Sequence, residues 1–573
     1  MRRSNVQRTK CRVDESLLSE LRECLAQRSI KRGYSLLQSV ENSFETLDPK
    51  CERSAQFVGY LAQWTDVGVL TTSALKSALR LFDPVTRSHL SLKSYLYLRM
   101  ADGVLAMALE ETDSAIRHFD VVLDLQDELN DPQSGAAVYF WKARCLRRKG
   151  EYEDALIFAN RGRDSALALG CPCMAALTEV LESWILFQRG KTQEAASVSR
   201  HAESILQDTD DYVTLGNIYS FYGRMCRRSG MYDQAIEHFN QAINEYRKRD
   251  PKHPSLARSL ANIALAKRAI ALQLRHKIDR QAARRRKVNE VSQSDHRSST
   301  SRYRKSVEQL RKEIIAHLDE AAEIYERHPN HHGIGNVNLN YAYLLLDDGD
   351  YEGSENRAMQ AYRLGEEKQD YILMGRARIV LCMVENARVE EEISEGSDPG
   401  SNARRAMEYV QEAVDFAKHT QNKRLITTAY LWLGLTYCND FFDNTESARE
   451  AYDLAVASRS SIQPDNMWED LQLLRSKVIH SGSIDSKLQA WSQGSLGGKT
   501  FREITEEFAE LIIPRVWERE GRKIARVATR LSISPKKVRR ILNRVGHSTL
   551  QRPSVGSKSK NSTYTGRRKR RSN

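Results

Sequence analysis

The feature that most limits what this chain can become is a repeat of forty residues. Three segments fall into register: Lys149-Gly150-Glu151-Tyr152, Arg189-Gly190-Lys191-Thr192 and Ser229-Gly230-Met231-Tyr232. Their glycines are 40 residues apart, and so are the alanines that follow, Ala155, Ala195 and Ala235, with Ala115 one period earlier. Asp348-Gly349-Asp350-Tyr351, followed by Ala358 and Ala361, is a further copy. Self-similarity at such a period marks a stack of small units, none of which can bury its own apolar face alone.

Each unit reads as two helices. Helix A carries a small residue where its partner crosses closely: Gly103, Ala143, Ser183, Gly223, Ala342 and Gly434. A turn centred on glycine follows. Helix B then carries a stripe at i, i+4 and i+7, as in Ala235, Phe239 and Ala242, which packs on helix A. The step from the last helix-B position to the next small position is 21 residues from Val122 to Ala143, Ala202 to Gly223 and Ala413 to Gly434. Proline numbers only 12 in 573 residues, so long helices are not interrupted and the expected class is all-α. The segment from Ile218 to Pro251 resembles the tetratricopeptide family in Tyr219, Gly223, Gly230, Tyr232, Ala235, Phe239, Ala242 and Pro251. That family's repeat is about 34 residues, so the helices or turns are longer here. The resemblance covers roughly 95–250 and 334–460; Ser16–Phe44 and Ser54–Phe82 fit by register alone. It implies a superhelical solenoid with a concave groove for a protein or peptide.

The expected organisation is a flexible N-terminus over 1–15 and a solenoid of about ten repeats over 16–480, closed by a last helix, Asp465–Ile479. Polar insertions at about 275–305 and 388–403 interrupt two repeats and are expected to be flexible. A Ser/Gly-rich linker spans 481–498. A small helical domain follows over 499–547, then a basic disordered tail over 548–573.

Charge separates these parts. The chain carries a net +13, but Lys499–Asn573 alone holds 21 basic and 6 acidic residues, leaving the rest slightly negative. A polyanionic partner is expected for that end. There Phe501, Ile504, Phe508, Leu511 and Ile512 suit an amphipathic helix that Pro514 should kink or divide. Ile524, Ala528 and Leu531 face inward from a short second helix, and Ser532-Ile533 make a turn. Ser534 then stands as N-cap and Pro535 as first helical residue of a third helix. Val538, Ile541 and Leu542 form its apolar side; Lys536, Lys537, Arg539, Arg540 and Arg544 form its exposed side. A cationic helix presented from its N-terminal end fits the major groove. The stretch Ala525–Gly546 resembles the Fis-type (factor for inversion stimulation) helix-turn-helix without a gap, through Arg526, Ala528, Ile533, Arg539, Arg540, Leu542 and Gly546. Ile512, Ile513, Trp517 and Gly521 match the preceding helix and turn. Ser532 replaces the usual turn glycine, and Ser534-Pro535 the frequent Asn/Arg start, so no sequence preference carries over. The resemblance implies binding to double-stranded DNA through Lys536, Lys537, Arg539, Arg540, Arg544 and Arg526. It also implies a homodimer through Phe501–Trp517.

Other signals read more blandly. Arg144 and Arg147 recur in register as Trp184 and Phe187, then as Arg224 and Arg227. On the concave face of the resembled family they could receive an acidic peptide or anionic effector, but solvated or intra-repeat ion-paired arginines are the favoured reading. The basic insertion Arg275–Lys305 is read as the solvated extension of a long helix ahead of a second nucleic-acid contact. GSLGGKT at 494–500 lacks the first glycine of a phosphate loop, because Gln493 stands there. His328, His331 and His332 lie in a Pro/Asn/Gly stretch without further ligands and read as a plain loop. The nine cysteines include no CxxC, which fits free thiols. No N-terminal signal or membrane span is expected. Neither catalytic groups nor a cofactor or metal site is expected. The leading reading is a cytoplasmic, in bacteria nucleoid-associated, DNA-binding transcription regulator with the solenoid as sensor. The alternative is an interaction scaffold whose basic end holds RNA or another acidic surface.

Overall fold

The computed structural model describes residues 13–40, 44, 47–287, 293–459, 466–481 and 498–545. They belong to two compact units, Met1–Ser481 and Gly482–Asn573. Among the described residues there are helices and no strand, and no helix is long and apolar enough to cross a membrane. The expected N-terminal, linker and tail segments fall largely outside the described residues.

The first unit is a succession of helical hairpins. The first is α1 (Glu15–Gln27) with α2 (Ile30–Ser39), and the second α3 (Glu52–Asp66) with α4 (Thr72–Arg80), followed by short α5 (Pro84–Ser88). The third joins α6 (Leu92–Ala108) to α7 (Thr112–Asp124), with short α8 (Gln126–Leu129) behind it. Next come α9 (Pro132–Lys149) with α10 (Tyr152–Ala168), α11 (Pro172–Gln188) with α12 (Thr192–Leu206), and α13 (Tyr212–Arg228) with α14 (Tyr232–Arg249). The seventh hairpin is α15 (Ser255–Lys287) with α16 (Gln293–Arg327), the eighth α17 (His331–Asp347) with α18 (Tyr351–Glu367). The ninth is α19 (Tyr371–Glu395) with α20 (Gly400–Lys418), the tenth α21 (Lys423–Tyr437) with α22 (Thr445–Ser458), and α23 (Asn466–Ser481) ends the array. Helix A thus begins at Glu52, Leu92, Pro132, Pro172 and Tyr212, one period apart each time.

The small positions behave as the repeat requires. A Cβ at Gly223 would meet the ring of Phe239 at 2.7 Å, so only glycine lets α13 and α14 close on that ring. Gly33 meets the ring of Trp64 in the same manner, which makes the first two hairpins true members of the stack. Gly150 ends α9 at φ 85°, a conformation that favours glycine.

Among the described residues, helix continues into both insertions. The basic one lengthens α15 to Lys287 and α16 back to Gln293, and the acidic one lengthens α19 to Glu395. Ala-, Arg- and Glu-rich runs are good helix formers. The α19 extension is also anchored: Val389 is buried, and Asn402 Nδ2 donates to Glu392 at 2.7 Å.

Successive turns of the first unit touch in a regular way. The A–B turns of the first four hairpins seat against helix ends four to six hairpins later. Arg28 pairs with Asp211 at 2.6 Å, and the Ile30 N–H donates to Asp210 at 2.5 Å. Arg249 reaches the Gly68 carbonyl at 3.5 Å. Asn330 Nδ2 donates to Glu110 at 2.8 Å, and His331 Nδ1 lies 2.9 Å from the same carboxylate. A Cβ at Gly150 would touch the Ile372 side chain of the ninth hairpin, and the Gly150 carbonyl accepts from the Gln421 N–H of the tenth at 3.0 Å. The histidines expected in a plain loop therefore open α17 and work as a clasp. His331 Nε2 also lies 3.3 Å from Asp370. Burial alone would lower its pKa, but Asp370 and Glu110 raise it to about 9.

The second unit holds α24 (Phe501–Arg519), α25 (Ile524–Arg530) and α26 (Pro535–Arg544). Ile513, Val527, Ala528, Val538, Ile541 and Leu542 form its core. Within α25, Val527 joins Ala528 at the centre, while the expected Ile524 and Leu531 are only partly buried. Pro514 does not divide α24. A proline removes one backbone donor, and the neighbouring Ile513, 2 % exposed, anchors the helix there. Thr500 and Glu503 form a capping box at its start, and Lys499 pairs with Glu507 at 2.7 Å. The end of the loop-like GSLGGKT motif is thus a helix cap.

Candidate nucleic-acid interface and inner arginine cluster

The cationic face of the second unit begins with local chain chemistry. Ser532 adopts φ 52° in the turn after α25, where the resembled family has glycine. Ser534 is extended, and its hydroxyl accepts from the Lys537 N–H at 3.3 Å. Pro535 starts α26 without forfeiting a needed donor. Val538, Ile541 and Leu542 are buried, which turns Lys536, Arg539 and Arg540 outward, with Lys537 half-buried beside them.

The six residues expected on DNA do not behave alike. Lys536, Lys537, Arg539 and, on α25, Arg526 make no ion pair with a carboxylate among the described residues. Arg540 instead pairs with Glu506 of α24 at 2.6 Å, and Arg544 with Glu506 and Glu510 at 2.9 and 3.0 Å. These carboxylates stand one helical turn apart, so one acidic edge of α24 clasps one basic edge of α26. The two arginines are drawn partly away from solvent anions. Apolar residues of α24 remain uncovered within this unit, with Phe501 at 86 % and Phe508 at 46 % exposure.

The concave-face residues of the first unit also divide. Arg144 is ion-paired with Asp66 of α3, two hairpins earlier, and not within its own repeat. Trp184 and Phe187, expected to line the groove, are sealed in the core at 9 % and 1 % exposure. The physical reason is that cations cover them. The Arg224 guanidinium sits 4.6 Å from the Trp184 ring and that of Arg228 3.7 Å from Phe187, a favourable use of ring quadrupoles.

Arg147, Arg224 and Arg227 differ from Arg144. None pairs with a carboxylate among the described residues, and the Nε of each is sealed from solvent without a hydrogen-bond partner. They meet Arg258 of α15 and Arg376 of α19, which the repeat register did not single out. Arg258 Nη2 donates to Asn217 at 2.6 Å, and Arg376 bonds Asn336. The charges that bear most on Arg224 are all arginines: Arg258, Arg227, Arg147 and Arg376. Burial and these neighbours hold Arg224 well below its ordinary pKa. Burial, then Arg148, pushes Arg147 down to about 10; burial, then Arg424, does the same to Arg227. Arg147 and Arg227 stay protonated at neutral pH. Arg258 and Arg376 escaped the sequence reading because nothing local distinguishes them. They are brought in by winding, since helices several repeats apart share the inner side.

Comparison with known proteins adds one family. Residues 214–272 match the tetratricopeptide repeat family, so the helical stack contains that repeat. No curated protein sequence matches the chain. Among solved structures, the apo form of the quorum sensor NprR from B. thuringiensis is similar at 13% identity, over 78% of this chain and 98% of that one, with a TM-score of 0.37. The human IFIT1 dimer with m7Gppp-AAAA is similar at 14% identity over 78% and 96%, with a TM-score of 0.34. Yeast Tom70 follows at 12% identity over 83% and 91%, with a TM-score of 0.36. These scores are too low to bear on what the chain does.

Proposed function

We propose that the chain is a DNA-binding transcription regulator, with the tetratricopeptide-type solenoid as an interaction and sensing platform and the second unit as its Fis-like reader of duplex DNA. One observation carries this reading. The short helices α25 and α26 share a tight core that leaves Arg526 on the first, and Lys536, Lys537 and Arg539 on the second behind its Ser534 cap, without carboxylate partners among the described residues. Helix N-termini and cationic side chains of this kind contact phosphates and guanine edges. The uncovered apolar side of α24 supports pairing of two copies through Phe501–Trp517, which would present two such helices to a palindromic site. No catalytic step enters this reading, and the setting is the compartment that holds the DNA, the cytoplasm in a bacterium.

The clasp of Arg540 and Arg544 by Glu506 and Glu510 favours a second reading, because it removes two cations from the reading face. In that case the basic end is a non-specific anchor for RNA or another acidic surface.

The test is selection of bound sites from a random duplex library with the full chain, followed by retention titrations across salt. Enrichment of a defined site, lost in the Lys537→Ala/Arg539→Ala variant, is the expected result. Retention without enrichment, weakened evenly by the variant, would establish the anchor instead.

A further inference from the structure

We propose that the inner side of the solenoid is a binding site for a compact, multiply charged phosphate compound, held by Arg147, Arg224, Arg227, Arg258 and Arg376. The inference concerns the first unit alone and stands whether or not the second unit binds DNA.

Unpaired guanidinium groups are costly to gather where water is scarce, because each loses hydration and repels the others. Several other arginines of the first unit avoid that cost. Arg28 has Asp211, Arg87 has Asp102, Arg268 has Asp347 and Arg163 has Glu182. On the inner side the rule lapses: five arginines from four helices converge with no carboxylate partner among the described residues. Four of them, Arg147, Arg224, Arg227 and Arg258, have a sealed Nε lacking any acceptor. Such a set is complete only when an anion supplies the missing acceptors.

The surroundings define the class of anion. Guanidinium forks match phosphate oxygens in pairs, and several forks around one point match several phosphates close together. An extended acidic peptide would need its cations strung along the groove and pockets for side chains between them. Here the charges are concentrated, and the aromatic rings that could line pockets, Trp184 and Phe187, are already capped by Arg224 and Arg228. The contact of the Gly150 carbonyl with the Gln421 N–H fixes the end of α9, which carries Arg147, against the start of the tenth hairpin. Polar groups rather than apolar ones complete it: Asn217 and Asn336 orient Arg258 and Arg376.

The experiment titrates sodium tripolyphosphate into the full-length chain by calorimetry, with three proteins: wild type, Arg224→Gln/Arg227→Gln and Lys537→Ala/Arg539→Ala. One site per chain is expected in wild type, with affinity reduced about tenfold or more by the inner variant and within about twofold by the C-terminal one. Ligand-free Arg227→Gln should melt no lower than wild type, because it loses mutual repulsion while keeping the Arg224 cap on Trp184. If the double variant does not fold, Arg227→Gln alone carries the binding comparison. The proposal is overturned if no one-to-one site appears, or if the C-terminal variant alone abolishes binding. A deca-glutamate peptide binding more tightly than tripolyphosphate through the same arginines would also overturn it.

Discussion

The inner side of the solenoid and the outer side of α26 are both rich in arginine, yet they hold it in opposite ways. On α26 the cations stand in water, and carboxylates of α24 engage two of them, Arg540 and Arg544. On the inner side, Arg147, Arg224, Arg227 and Arg258 have their Nε sealed from water, and neither they nor Arg376 engage a carboxylate among the described residues. Exposed charge needs no partner, so the pairs on α26 adjust a surface that water would tolerate anyway. Shielded charge does need one, so its absence inside the solenoid points to something outside the chain. Where a charge sits and what faces it therefore says more than how many charges a segment carries.

The comparison depends on the solenoid staying wound, and the clasp at His331 is the place to break it. His331 lies between Glu110 and Asp370, and its pKa is raised from 6.5 to about 9. A group whose pKa is raised on folding stabilises fully below its unfolded value and loses that contribution as pH climbs through the folded one. The clasp is thus worth about 2–3 kcal/mol below pH 6.5 and fades towards pH 9 and beyond. Urea unfolding from pH 6 to 10 should show wild type losing stability across this window, with His331→Gln lower at the start and flat across it. Parallel curves for the two proteins would show that the clasp contributes nothing.

On the other side of the comparison, Lys537→Ala/Arg539→Ala should weaken binding to a selected duplex by about thirtyfold to a thousandfold, at roughly 1–2 kcal/mol for each of the two contacts. Its thermal midpoint should not change, since Lys537 and Arg539 make no ion pair with a carboxylate among the described residues. A matching drop in midpoint would mean the residues hold the unit together rather than contact DNA.

How much of this was legible in the sequence follows from the range of each interaction. Gly223 facing Phe239, Ser534 capping α26 and Val538, Ile541 and Leu542 facing inward are set by residues a turn or a hairpin apart, so periodicity reveals them. The joining of Arg147 with Arg258 and Arg376 depends on winding, which no local pattern encodes. The burial of Trp184 and Phe187 was missed for a related reason. Their register placed them beside arginines on the groove, but an aromatic ring buries where an arginine can snorkel over it. His331 was read as loop because its two carboxylates, Glu110 and Asp370, lie 221 and 39 residues away in opposite directions.

A smaller effect tests the reader's own fold. Ser532 sits at φ 52°, where a side chain is disfavoured and glycine is not. Ser532→Gly should therefore stabilise the second unit by up to about 1 kcal/mol, offset in part by the greater freedom of glycine in the unfolded chain. Proteolysis rates of the second unit within the full chain report it directly. Slower cleavage is expected, and faster cleavage would mean the serine hydroxyl earns its place at that turn.

The smallest effect sharpens the contrast most, because it changes only the partner of a cation. Glu506 accepts from both Arg540 and Arg544, and those arginines hold its carboxyl below the usual range although burial acts the other way. Glu506→Gln leaves the apolar core untouched and frees part of that charge. If Arg540 and Arg544 face phosphate, affinity for duplex should rise by about two- to threefold, and the dependence of affinity on salt should steepen by up to about one ion per arginine released. If they act only as struts between α24 and α26, affinity should stay level while the unit loses a little stability. An increase in salt dependence without a change in midpoint would therefore place both arginines on the nucleic acid.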